Sequence, residues 1–246
     1  MFPAPDVRGP KVLLGVVWAA AVVGALVSGT APFALLMAAA AGAAAAQAAR
    51  TWRHVAPARH PVVPAALAIA AVAVLGAALG ATGFVVVAVL AVAGGAVWAW
   101  AASGGSPRDV ALTVVCAAVP AAAVAGAVLL RRSSLEVPFI LMAIALLYDA
   151  GSWVIGSGSR HRWLGPLAGM ACIVPVTMLV AALGLQFRSA DAWLLGALAA
   201  VLSPLGPAVA TFVLGDRRGH APALRRIDSL VVLGPVWSLV AAHLRA

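Results

Sequence analysis

The stretch VALTVVCAAVPAAAVAGAVLL, residues 110–130, runs for 21 residues without a charge between Arg108-Asp109 and Arg131-Arg132. At the helical rise per residue, a run of this length covers the hydrocarbon core of a bilayer. Its backbone polar groups must then be satisfied within the segment, which selects an α-helix. Barrel strands would show short alternating segments instead. Working outward, comparable apolar runs occupy 12–28, 32–49, 62–80, 83–102, 137–156, 164–186, 192–214 and 228–244. Of the 246 residues, 64% are hydrophobic and 9% charged, and mean hydropathy is +1.08. A soluble globule is excluded. The expected fold class is all-α, a polytopic membrane protein of about nine transmembrane helices forming one integral unit. Residues 1–130 are Ala-rich and low in information, and 131–246 carry the chemistry-bearing groups. The segment from Phe2 to Lys11 and the apolar run behind it have some signal-peptide character, but with no clear cleavage site they read as the first membrane helix.

The connectors between these runs are short and marked by Gly, Pro, Ser and Arg. With nine spans, 12 of the 16 Lys and Arg residues fall on one side and four, Arg131, Arg132, Arg188 and Arg245, on the other. By the positive-inside rule the N-terminus is expected in the cytoplasm and the C-terminus outside, in the plasma membrane of a bacterium. A net charge of +9, scattered over loops rather than concentrated in a tract, points to anionic lipid or phosphate substrates rather than nucleic acid. Cys116 and Cys172 read as small apolar packing residues. Trp52, Trp98, Trp100, Trp163 and Trp193 read as an interfacial belt. Gly76, Gly80, Gly94 and Gly95 either allow close helix contact or reflect composition, and composition is the reading preferred.

An ionisable residue inside a span is costly, so Asp149, within LLYDAGSW (146–153), is the first functional candidate. The expected topology puts it in the half of its helix near Arg160-His161-Arg162. Asp228 opens the last run from that same side, directly after Arg225 and Arg226. Two carboxylates beside arginines suit a polyphosphate: the acids hold Mg²⁺ and the arginines take phosphate oxygens. Alternatively, Arg225 and Arg226 only enforce orientation, and Asp228 caps the last helix or pairs with a neighbouring arginine. His220 is open between a phosphate contact, a proton carrier and a loop residue. GSGS (156–159) follows no strand and reads as a turn.

DAGSWVIG (149–156) and RRIDSL (225–230) resemble the integral-membrane phosphatidate cytidylyltransferases, also called CDP-diacylglycerol synthases. That family shows D-T-G-A-Y-x-x-G on a late helix, then S-P-K-K-T-x-E-G, then L-G-D-L-x-E-S-x-x-K-R, and P-G-H-G-G-x-x-D-R-I-D-S before the last helix. The resemblance covers roughly residues 137–240 and implies transfer of a cytidylyl group from CTP to phosphatidate, releasing pyrophosphate. It further implies Mg²⁺ on the aspartates at Asp149 and Asp228, with His220, Arg226 and Ser229 at matching substrate-binding positions. Arg160, His161, Arg162 and Arg225 are further candidate substrate contacts by their charge and place alone. Pro207 and Ala210 stand where the family has two carboxylates, Arg225 replaces the first aspartate of D-R-I-D, and Ala221-Pro222 replaces two glycines. The Lys-rich segment is replaced by Gly165-Pro166-Leu167-Ala168-Gly169, and Lys11 is the sole lysine in the chain. Weakened or lost catalysis is therefore expected. The alternative is a non-catalytic membrane protein that binds anionic lipid or a protein partner. A homo-oligomer stays open, and a transporter ranks last because paired broken helices in two related halves are not seen.

Overall fold

In the computed structural model, residues 9–55, 60–157, 161, 163–215 and 221–245 are described. These residues form α1 (Gly9–Ser28), α2 (Thr30–Val55), α3 (Val63–Ala77), α4 (Ala81–Ala102), α5 (Pro107–Ser133), α6 (Glu136–Gly156), α7 (Leu164–Leu183), α8 (Ser189–Leu202), α9 (Leu205–Leu214) and α10 (Leu230–Leu244), with a short 3₁₀ turn at Leu224–Arg226. There is no strand among the described residues.

Six segments are long and apolar enough to cross a bilayer: α2, α4, α5, α6, α7 and the continuous stretch Ser189–Leu214. Leu13–Ser28, Val63–Ala77 and Leu230–Leu244 are apolar but shorter. Helices of 15 residues, such as α3 and α10, rise only about 22 Å, less than a typical hydrocarbon core. The apolar run 62–80 is shortened because Gly80 adopts φ +102° and turns the chain into α4. The run 192–214 divides at Leu202–Leu205. There the Ser203 hydroxyl donates to the Ala199 carbonyl and Pro204, which has no N–H, restarts the helix as α9.

Packing rests on small residues. Ala41, Ala45 and Ala48 of α2 are fully buried, as are Ala66, Ala70 and Ala77 of α3, the composition that lets membrane helices approach closely. A Cβ at Gly234 of α10 would strike the backbone of Ala123 in α5, so this crossing tolerates only glycine. On α3 and α4, Gly76 lies against Val87 and Gly95 against Ile69, which gives both glycines a packing role where composition alone had seemed sufficient. In α4, by contrast, only 11% of the most apolar window is buried, and Val89, Leu90 and Val97 are more than 60% exposed. Such a face suits lipid tails. Pro120, Pro175 and Pro235 sit inside α5, α7 and α10, as membrane helices permit.

Side-chain contacts define two ends. At one, the Arg131 Nε–H donates to the Leu26 carbonyl near the end of α1, Arg132 lies against Gly80 in the α3–α4 turn, and Arg245 after α10 donates to the Ser133 hydroxyl. We call this the arginine end. At the other, the His60 N–H donates to Asp109 in the first turn of α5, and the Trp52 indole near the end of α2 donates to the Val213 carbonyl of α9. There too the Ser229 hydroxyl before α10 donates to Asp149 in α6. This is the acid end.

Candidate functional site

The acid end gathers groups from four parts of the chain. Asp149 sits in the last two turns of α6, partly buried. Its Oδ2 accepts the Ser229 hydroxyl at 3.0 Å, across 80 residues of sequence. Ser229 is fully buried and Asp228 is 8% exposed. Asp228 faces Arg225, with Nη1 and Oδ2 3.5 Å apart. Asp149 is also close enough to feel the charges of Asp228 and Arg226, and the Arg226 guanidinium reaches α1 beside Gly15. Two acids and two arginines thus meet, with charges that balance.

Local structure explains how a short connector presents so many polar groups. The chain leaves α9 at Gly215, which has φ +67°, and from Ala221 leads into the 3₁₀ turn Leu224–Arg226. Leu224 and Ile227 are buried on one side of that turn, which leaves Arg225 and Arg226 half-buried at its rim beside the buried Asp228. The Gln47 carboxamide of α2 accepts the Ala223 N–H at 2.8 Å and fixes the turn from one flank. Gly206 fixes it from another, since a Cβ there would occupy the place of the Asp228 backbone. Arg225 donates to the Thr211 hydroxyl, 3.4 Å from each terminal nitrogen, while that hydroxyl donates to the Pro207 carbonyl. Burial pushes the Asp228 carboxyl up to about 6, against the opposing pull of the Arg225 guanidinium.

Of the residues expected from sequence, Asp149, Arg225, Arg226, Asp228 and Ser229 come together. His161 lies exposed in the connector between α6 and α7, where its carbonyl accepts the Leu164 N–H. Arg160, Arg162 and His220 lie outside the described residues. Asp228 does not open or cap the last helix: α10 begins at Leu230 with Ser229 in the N-cap position, and the Asp228 side chain turns to Arg225 instead. Trp98, Trp100, Trp163 and Trp193 are about half exposed or more, as the belt requires, whereas Trp52 spends its indole N–H on α9 and packs beneath Gly215. Gln47, Thr211, Gly206 and Gly15 carried no signal in the sequence. Tyr148 did, as the neighbour of Asp149: it is buried, its hydroxyl pairs with Ser152, and it feels both acids.

A cation set of three or more His, Cys, Asp or Glu side chains does not occur among the described residues. Asp149 and Asp228 nevertheless match the one or two carboxylates that Mg²⁺ takes when phosphate oxygens and water complete its shell. Asp149 accepts the Ser229 hydroxyl through Oδ2, and Asp228 is held by Arg225 and by backbone N–H groups of its own connector. A carboxylate has about four lone-pair sites, so each acid keeps acceptor capacity for that purpose. A separate groove of about 170 Å³ between α7 and α8 is lined by Met170, Ile173, Val174, Thr177, Trp193 and small residues. Its one hydroxyl, Thr177, donates to the Ile173 carbonyl, so it offers a phosphate no charge.

No protein-family model, no curated protein and no solved structure matches this chain.

Proposed function

We propose that this is a phosphatidate cytidylyltransferase-like membrane protein whose acid end receives the triphosphate of CTP beside the phosphate of a lipid. The single observation that supports the reading is the meeting of Asp149 with Ser229 and Asp228, flanked by Arg225 and Arg226. An intramembrane acid held against a second acid and two arginines has the charge pattern of a phosphate site. In this reading nine segments cross the bilayer, the three short apolar helices included, and the acid end faces the cytoplasm, where CTP is available.

The reaction joins an oxygen of the phosphatidate phosphate to the α-phosphorus of CTP. The bond from that phosphorus to the α–β bridging oxygen breaks, and pyrophosphate leaves with the bonding pair. Arg225 and Arg226 bind and orient the triphosphate, and their charge offsets that of the leaving group. Asp149 and Asp228 would hold Mg²⁺, which would supply positive charge to offset that of the phosphates. Buried Ser229 keeps Asp149 turned toward Asp228. Pro207 and Ala210 contribute no carboxylate, so turnover is expected to be weak.

The test is incubation of purified protein with labelled CTP, phosphatidate and Mg²⁺. The expected result is a slow yield of CDP-diacylglycerol that Asp228→Asn abolishes. Product that persists in Asp228→Asn refutes the assignment. A second reading has its own observation: both acids already have partners inside the protein, as in a structural network. The protein is then a non-catalytic binder of anionic lipid or of a protein partner, and an assay without product but with retained phosphatidate binding selects it.

A further inference from the structure

We propose that the arginine end is a docking surface for the phosphate of an anionic phospholipid headgroup, held by Arg131, Arg132 and Arg245. The three side chains surround the last turn of α5 and come from two helix ends. Arg131 gives its Nε–H to the Leu26 carbonyl at 2.7 Å, and Arg245 gives one Nη1 proton to Ser133 at 3.2 Å. Arg132 is exposed and rests a terminal nitrogen against Gly80, which has no Cβ to exclude it. Each guanidinium has five N–H donors, so most of the fork remains unspent.

Among the described residues, no acidic side chain is ion-paired with these arginines. Glu136 stands exposed in the first turn of α6, yet the ion pair found among the described residues is Arg225 with Asp228, at the other end. The apolar run of α5 stops at Leu130, so the arginines sit where hydrocarbon gives way to headgroups. Phospholipid phosphate is the abundant anion at that depth, and arginine binds it through paired N–H groups. A headgroup with net negative charge gains over a zwitterionic one, because the latter brings its own cation to the cluster. This surface is independent of the cytidylyltransferase reading.

Full-length protein in neutral detergent, titrated with phosphatidylglycerol or phosphatidylcholine and read by native mass spectrometry, tests the proposal. Wild type should retain phosphatidylglycerol in preference. With each surface arginine contributing about fivefold in affinity for anionic lipid, Arg132→Gln should lose about that factor, and the combined Arg131→Gln, Arg132→Gln, Arg245→Gln variant should lose the preference. Arg132 makes no side-chain hydrogen bond to another described residue, so its variant should keep the wild-type melting temperature and stay interpretable if the triple variant fails to fold. The Arg225→Gln, Arg226→Gln variant should keep the preference, and inorganic phosphate should not displace the lipid. Equal retention of both lipids by wild type, an unchanged preference in Arg132→Gln, loss of preference in the Arg225→Gln, Arg226→Gln variant, or displacement by inorganic phosphate would each overturn it.

Discussion

The two ends of the bundle handle the same residue, arginine, in opposite ways. At the acid end Arg225 and Arg226 face Asp228 and Asp149, the acids are shielded from solvent, and a buried hydroxyl takes one carboxylate oxygen. At the arginine end Arg131 and Arg245 use a carbonyl and a serine, and Arg132 stands exposed. The first arrangement is internally neutral, and each member depends on the others, because a buried charge without its partner is costly. The second keeps its charge for whatever lies outside the protein. A perturbation should therefore cost stability at the acid end and lipid contact at the arginine end.

The largest effect should come from Gly206→Val. A side chain there meets the backbone of Asp228 and Ser229 rather than a flexible tip, so the connector must move. A loss above about 3 kcal/mol is expected from such overpacking, measured by reversible unfolding in mixed micelles. A loss below about 1 kcal/mol would mean that the connector is not seated on α9, since overpacking a seated site costs at least that.

Next is a pH dependence. The folded carboxyl of Asp228, near 6, lies above its ordinary value of 3.8, so the native state binds the proton more tightly than the unfolded chain. Stability from this group is complete below pH 3.8, declines as pH rises, and levels off above about 6. The decline should be of the order of 3 kcal/mol, and a wild-type minus Asp228→Asn difference curve should isolate it. A difference that grows more favourable to wild type across the same window would reverse the sign and break the assignment of burial as the dominant cause.

Ser229→Ala should cost about 1–2 kcal/mol, because it removes the donor to Asp149 from a buried position; an unchanged unfolding free energy would show that the hydroxyl is idle. Arg132→Gln, at the exposed end, should stay within about 0.5 kcal/mol of wild type. A cost as large as that of Ser229→Ala would erase the contrast between the ends.

Much of the fold was legible because hydrocarbon imposes a length rule that long uncharged runs obey. Residues 110–130 lie wholly within α5, and 137–156 begin one residue after α6 starts and end with it. Less legible were the places where backbone geometry overrides hydropathy. Gly80 and Pro204 end helices inside apolar runs, and Leu230 rather than Asp228 starts α10. At the acid end, Asp149 and Asp228 stood out as charges in or beside apolar surroundings. Thr211, Gln47 and Gly206 did not, because their importance lies in contacts made across 14 to 176 residues, and a hydroxyl, an amide or a glycine is unremarkable in a membrane helix. The double role of Trp52, as an amphipathic ring that also ties α2 to α9, shows the same limit: residue type gave its depth and only the fold gave its partner.

The account stands on Asp149 of α6 and Ser229 before α10 being neighbours. Asp149→Cys combined with Ser229→Cys, in a background lacking Cys116 and Cys172 and treated with a short bifunctional thiol reagent in native membranes, tests this directly. The account predicts one intramolecular link between the two introduced thiols, found by mass spectrometry of the digested protein. Two thiols that each react singly and never join would contradict it.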